Sequence, residues 1–330
     1  VAEAREIPIP STISPEAQAV LAAAAARPLK PEPAYDDDAG WREHAALAQV
    51  TDEGTVMGLA LATTGAVIDG TPTTRAQSAS VDGARYFTAE PDARREGDQR
   101  VFFAIHGGGF TFGGGESARA STSLLAGNFG VRTWGMDYRE LPDHPFPAGL
   151  DDCMTVYREL LKSTDPSAIA IGGQSGGANL SAAMLLRIRD EGLPMPAAAA
   201  LLSPPLDLTS SGDTYATNGF TIPAGGITNM ARRYAGGHDL THPYVSPLFG
   251  DYTADFPPTI LTAGTRDFLL SDTVRLHRKM LAAGVRAELH VWEGAPHGLF
   301  MGRAPEDRDQ VRQVRTFLER AWSEAGHPVP

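Results

Sequence analysis

From about residue 83 to residue 322 the chain alternates short apolar runs with longer stretches of helical periodicity, and this alternation restricts the fold more than any other feature. Arg85–Ala89 and Val101–Ile105 read as strands, Ser117–Phe129 as a helix, Val131–Met136 as a strand and Asp151–Leu161 as a helix. Ala168–Ile171 reads as a strand running into glycines, followed by a helix over Ser175–Arg189 and strands at Ala197–Leu202 and Thr259–Thr262. Ser271–Ala283 is predicted helical, Ala287–Val291 extended, and Asp307–Trp322 helical, with Val311, Val314, Phe317, Leu318 and Trp322 at helical spacing. Strands separated by helices imply an α/β fold, a mostly parallel central sheet with helices on both faces, and reactive groups at the carboxyl ends of its strands. The stretch 206–255 breaks the alternation; rich in Gly, Thr and Pro, with one helical piece near Asn229–Tyr234, it reads as an insertion. Residues 1–80 differ again. Ser14-Pro15-Glu16 opens an Ala-rich helix with Ser14 as its cap, and a Pro-rich break and the acidic run Asp36 to Asp38 precede a second helix around Trp41–Gln49.

Charge and cysteine content narrow the partners. Forty Asp+Glu against 28 Lys+Arg give a net charge of −12, which argues against nucleic acid or an anionic membrane as a partner, because both demand positive potential. The single cysteine, Cys153, forms no internal disulfide and builds no zinc site by itself. No apolar run approaches the ~18 residues a membrane span requires. The run from Ala19 to Ala26 is short and lacks a basic flank, so no secretory signal is expected, and the reading is of a soluble, cytoplasmic protein.

The chemistry concentrates at Gly173-Gln174-Ser175-Gly176-Gly177, directly after the strand Ala168–Ile171 and directly before a helix. A serine there sits on a tight strand-to-helix turn, with glycines on either side letting backbones crowd together while Oγ projects above the sheet edge. A plain glycine turn is the bland alternative, and the position between strand and helix weighs against it. Serine needs a base and a group to orient that base, in the chain order Ser, acid, His. Of the nine histidines, His44, His106 and His144 precede the serine. His238 and His242 flank Asp239 without the Glu of H-E-x-x-H, and read as a solvated loop. His277 lies in a helix, His290 in a strand and His327 in a Pro-flanked tail. His297, in Gly294-Ala295-Pro296-His297-Gly298 just beyond a strand, stands where the base belongs. Asp267 follows the strand Thr259–Thr262 and is favoured as the orienting acid over Asp272, which falls at a helix start. The bare amides of His106-Gly107-Gly108-Gly109, with that of Gly176, suit an oxyanion hole. A phosphate cradle fails: no G-x-x-x-x-G-K-[ST] is present, and neither glycine cluster satisfies G-x-G-x-x-G.

With these residues in place, the chain resembles the bacterial hormone-sensitive-lipase-like (family IV) carboxylesterases of the α/β-hydrolase fold. The resemblance runs from Val101 to Phe300 and rests on His106–Gly109, the block from Asp137-Tyr138-Arg139 through Asp143–Ala148 to Asp152, Gly173–Leu180, and the Asp267/His297 pair. It implies Ser175 as nucleophile, His297 as general base, Asp267 as its orienter, and Gly108, Gly109 and Gly176 as oxyanion donors. Three positions depart from the usual pattern: Gln174 before the serine, Gly176 after it with Ala178 in place of a glycine, and Glu140-Leu141-Pro142 in place of Leu-Ala-Pro. None removes a reacting group, and Gly176 keeps its N–H while loosening the loop that aims it. The resemblance also implies a helical cap built from residues 1–50 and an insertion at about 206–240, over a catalytic domain spanning 51–330. Phe110, Phe112, Phe220, Ile222, Phe268 and Leu299 are candidates to line the substrate pocket.

The expected activity is hydrolysis of short- to medium-chain carboxylic esters through an acyl-enzyme, with no metal or organic cofactor. A lactone hydrolase, of monoterpene type for example, would use the same groups. A non-catalytic receptor on this scaffold, as the gibberellin receptors are, would be expected to lack a triad member. The apolar face of 311–322 suits either a homodimer contact or the core.

Overall fold

The computed structural model describes residues 7–25, 31–46, 75–92, 94, 96–219 and 226–328. An eight-stranded sheet forms its centre, in the order β1-β2-β4-β3-β5-β6-β7-β8. β1 (Gln77–Val81) and β2 (Ala84–Ala89) make an antiparallel hairpin that adds to β4 (Arg132–Asp137), and every pairing from β4 through β3 (Val101–Ile105), β5 (Ile169–Gln174), β6 (Ala198–Leu202), β7 (Thr259–Gly264) and β8 (Ala287–Trp292) is parallel. β3 and β7 are buried at every position, which is why they read as unbroken apolar runs. Along β3 the pleat sends Phe102 and Ala104 into one apolar cluster and Val101, Phe103 and Ile105 into another, so the two cores lie on opposite faces of one sheet.

Helices cover both faces. α3 (Glu116–Phe129) contributes Phe129, and α9 (Pro305–Glu324) its apolar stripe, to the cluster holding Phe102. α4 (Ala148–Leu160), α5 (Gly176–Asp190) and α8 (Leu270–Ala282) pack into the other. The stripe Val311, Val314, Phe317, Leu318 and Trp322 is fully committed to this packing, with Trp322 at 0% exposure, so that face is core and offers no surface to a second protomer. β1 escaped the sequence reading because its burial pattern is largely exposed and Gln77-Ser78-Ala79-Ser80 lacks apolar alternation. The missed signal is Asp82-Gly83, at φ 48° and 83°, the left-handed pair that a two-residue hairpin turn requires.

α1 (Pro15–Ala25) begins where predicted, with Ser14 Oγ accepting from the Ala17 amide at 3.1 Å. Ser14 also donates through its amide and hydroxyl to Glu306, at 2.7 and 2.8 Å, tying α1 to the start of α9. Ile13, Ala17 and Leu21 pack on Ala295, Leu299, Phe300 and Ala304. α1 therefore buttresses the loop that carries His297. α2 (Asp38–Ala46) starts three residues before the predicted helix. Between β6 and β7 lie a single turn, α6 (Thr214–Thr217), and α7 (Thr228–Ala235), the helical piece expected near Asn229. Among the described residues no helix is long and apolar enough to cross a membrane.

Candidate active site

Ser175 closes β5 and opens α5 with φ 52° and ψ −124°, a conformation that L residues rarely adopt. Its glycine neighbours are forced by packing. A Cβ on Gly173 would fall 2.3 Å from the Ile105 carbonyl oxygen, and one on Gly177 2.0 Å from the same atom. The bend is thus pressed against the end of β3, and the Ser175 amide donates to the Leu202 carbonyl at 2.8 Å. Strands β3, β5 and β6 together fix where the hydroxyl points.

Ser175 Oγ lies 3.0 Å from His297 Nε2, and His297 Nδ1 lies 3.2 and 3.4 Å from the two carboxyl oxygens of Asp267. With an ionised carboxylate at Nδ1, the ring proton sits on Nδ1 and the Nε2 lone pair faces the serine. Asp267 is wholly buried at the end of β7 and also accepts from the Leu269 amide at 2.9 Å. Asn218 spans the two carbonyls on either side of this turn, donating to Thr265 at 3.1 Å and Asp267 at 3.0 Å. No motif marked that residue in the sequence.

The competing acid goes elsewhere. Asp272 Oδ2 accepts from the amides of Leu206 and Asp207 at 2.9 and 3.0 Å and from the Tyr215 hydroxyl at 3.2 Å. Burial pushes its carboxyl up to about 7, despite those donors. Its role is to anchor the start of the insertion to α8.

The glycine run after β3 crosses directly over the serine turn. A Cβ on Gly107 would meet the Gln174 carbonyl oxygen at 2.8 Å and Ser175 Cβ at 3.3 Å. Gly176, the first residue of α5, has an N–H without an intrahelical acceptor, and a Cβ there would lie 3.2 Å from the Phe110 amide nitrogen. Gly176 therefore sits close against the Phe110 backbone, and a side chain there would press on it. Gly108, at φ 109°, curls so tightly that a Cβ would stand 1.7 Å from the Phe112 carbonyl oxygen. Gly108→Ala is expected to displace the loop and, on the oxyanion role proposed below for its amide, to lower kcat by about 10²- to 10³-fold. Steady-state kinetics with a chromogenic ester would measure the loss.

These groups border a cleft of about 480 Å³. Of the predicted pocket residues, Phe110, Phe112 and Phe268 line it. Phe220 and Ile222 lie outside the described residues. Leu299 does not reach the cleft: at φ 53° it turns into the cluster beneath α1, where Ile13 and Leu21 cover it. The structure adds Trp41, His44, Ile227 and Met230 to the lining. They come from α2 and from the start of α7, segments whose meeting no local pattern announces. Glu32 joins the two: its carboxyl accepts from the Asn229 and Met230 amides at 3.2 and 3.3 Å, and burial pushes it up to about 7. Phe110 stacks on Tyr234 of α7 with ring centroids 3.7 Å apart.

His238 and His242 flank the Phe146 ring, with centroids 4.9 and 5.6 Å away. Among the described residues no three His, Cys, Asp or Glu side chains gather as metal ligands would. The Tyr138–Asp152 block is scaffold: Arg139 forks onto Asp152 at 2.8 to 3.0 Å, and Tyr138 stacks on His106 at 4.3 Å.

Residues 102–301 match the family described as the alpha/beta hydrolase fold. An acetyl-hydrolase of Streptomyces hygroscopicus is 33% identical over 238 residues, covering 70% of this chain and 79% of its own. An esterase of Acinetobacter venetianus is 32% identical over 228 residues, covering 66% and 74%. Among crystal structures, one of an esterase superposes with a TM-score of 0.80 at 33% identity, covering 96% of this chain and 97% of the other. Another, of an esterase from the bacterial hormone-sensitive lipase family, gives 0.76 at 30% identity, covering 94% and 99%. The chain belongs to the α/β-hydrolase family and, within it, to the bacterial hormone-sensitive-lipase-like esterases, enzymes that hydrolyse carboxylic ester bonds.

Proposed function

We propose that the protein cleaves short- to medium-chain carboxylic esters in two steps through an acyl-enzyme on Ser175. The carrying observation is the continuous chain from Ser175 Oγ through His297 to the buried Asp267, at 3.0 and 3.2 Å. His297 Nε2 takes the hydroxyl proton as Oγ attacks the carbonyl carbon, and the imidazolium is balanced by Asp267. Negative charge on the carbonyl oxygen is met by the amides of Gly108, Gly109 and Gly176, with the N-terminus of α5 adding to the field. His297 then protonates the departing alkoxide. Water, activated by the same imidazole, attacks the acyl-serine, and the tetrahedral adduct expels Ser175 with its proton restored.

Trp41, Phe112, Ile227, Met230 and Phe268 give the cleft an apolar lining, which suits the hydrocarbon part of an ester. Its volume of about 480 Å³ supports a modest acyl chain. Residues 31–46 and α7, stitched by Glu32 and by the Asn229 side chain bonded to the Pro33 carbonyl at 3.0 Å, act together as the cap. A fluorophosphonate is expected to label Ser175 stoichiometrically. On p-nitrophenyl esters from acetate to palmitate, kcat/KM is expected to peak at octanoate or shorter and fall at least about tenfold by palmitate. Absence of labelling would sink the mechanism. A peak at palmitate would sink the chain-length assignment alone, and faster turnover of alkyl lactones than of linear esters would move the substrate class to lactones.

A further inference from the structure

Behind the glycine loop, on the side away from the cleft, a carboxyl group and an imidazole face each other. His106 Nε2 and Glu140 Oε1 are both buried, lie 4.0 Å apart, and neither has a hydrogen-bond partner among the described residues. Buried polar atoms without partners are costly, and two such atoms facing one another are complementary if one carries a proton.

The other atoms of the pair say which one does. His106 Nδ1 is 2.8 Å from the Gly107 carbonyl oxygen, which only accepts, so the ring proton sits on Nδ1 and Nε2 presents a lone pair. Burial holds His106 below the ordinary histidine range, which keeps the ring neutral. Glu140 accepts from the Gly114 amide, while burial and the neighbouring Asp137 carboxylate push its carboxyl up to about 8. The charged and titratable groups around it are Asp137 at the end of β4, Arg85 of β2 bonded to Asp137 at 3.1 Å, His106, and the Tyr138 hydroxyl, which donates to the His106 carbonyl at 3.2 Å. Farther out, Arg42, Glu116, Arg139, Asp143 and His144 border the same hollow.

His106 is the hinge post of the glycine loop. Its ring is clasped between Tyr138 and Gly113, where a Cβ would fall 2.5 Å from Nδ1, and its Nδ1–H holds the first loop carbonyl. We propose that Glu140 is a positioning residue for the oxyanion loop, its protonated carboxyl donating to His106 Nε2 and so fixing the imidazole on which Gly107, Gly108 and Gly109 are hung. Closing the gap takes about 1 Å of carboxyl movement, since such a bond spans about 2.8 Å. This assignment rests on the oxyanion role proposed above for those amides. Glu140 never touches the ester; it acts through His106 and is felt in transition-state stabilisation.

The sign of the pH effect follows. Below about 8 the carboxyl is neutral and donates; above it the carboxylate turns an oxygen lone pair toward the Nε2 lone pair, and the bond is lost. Wild-type kcat on p-nitrophenyl butyrate should therefore fall as pH rises through about 8. Glu140→Gln supplies an N–H that does not titrate and should keep neutral-pH kcat within about twofold, with the basic decline moved up by more than one pH unit. Glu140→Leu should lower kcat about tenfold at pH 7 with KM changed less than about twofold, part of the 10²- to 10³-fold that full loss of a donor costs. Fluorophosphonate labelling of Ser175 in all three proteins, together with their unfolding midpoints, separates this effect from a failed fold or a failed nucleophile. Wild-type kcat and pH profile in Glu140→Leu, or equal losses in the glutamine and leucine variants, would overturn the proposal while leaving labelling intact. If the wild-type serine does not label, the mechanism and this assignment fall together.

Discussion

Ser175→Ala is expected to lower kcat for ester hydrolysis by about 10⁴- to 10⁶-fold, the loss that follows removal of a triad nucleophile. The hydroxyl is the only atom lost, and the features that hold the bend remain: the amide bond to Leu202, the close approach of Gly173 and Gly177 to Ile105, and the start of α5. Stability should change by less than about 1 kcal/mol, as for a small substitution that opens no core cavity. Residual activity above background would come from the loop amides and from binding. The measurement is burst and steady-state kinetics on p-nitrophenyl butyrate, alongside the unfolding midpoint. Retention of even a tenth of wild-type kcat would place the nucleophile elsewhere.

Asp267→Asn should cost about 10⁴-fold in kcat while KM stays within a fewfold of wild type. The carboxylate accepts from His297 Nδ1 and, through Oδ1, from the Leu269 amide. In asparagine one of those acceptors becomes an N–H₂ donor. If the amide oxygen keeps the Oδ1 place, it still accepts from the Leu269 amide and faces Nδ1 at 3.2 Å, but an N–H₂ stands at the Oδ2 place 3.4 Å from Nδ1 and the negative charge that would balance the imidazolium is gone. If the amide reverses, the Leu269 N–H meets a donor at a site with no exposure, and the turn before α8 is strained. Either arrangement weakens the base, the first by loss of charge and the second by presenting a donor to Nδ1. The contrasting control is Asp272→Asn, which should leave kcat within about threefold because Asp272 holds the insertion rather than the imidazole. Equal losses in the two variants would show that the acid was misassigned.

How much of this was legible depends on whether the determinant was local. The proposed triad was, because the architecture demands groups at strand ends in one chain order, with His297 in such a loop after Ser175 and Asp267 favoured there over Asp272. The sheet core was too, since β3, β5 and β7 are buried on both faces and leave apolar runs in the sequence. The hairpin strand β1 was not, because it pairs on one side only and carries serines that pay no penalty for exposure. The cleft lining was legible only in part. Phe110, Phe112 and Phe268 adjoin catalytic motifs, but Trp41 and Met230 lie far from them in the chain and meet there through Glu32 and the amides of α7. Leu299 shows the converse failure: it is two residues from His297, and a left-handed backbone turns it away.

The parallel stack of Phe110 on Tyr234 has a consequence for how the enzyme discriminates among esters. Phe110 is covalently continuous with Gly109, lines the cleft and lies close against Gly176, so one residue joins the buried Tyr234 of α7 to the amides proposed to stabilise charge. A bulky acyl group that presses Phe110 against Tyr234 is expected to transmit its strain to those amides. Poor substrates are then expected to lose turnover more than affinity, and a substitution at Tyr234 to change kcat without altering any proposed reacting group.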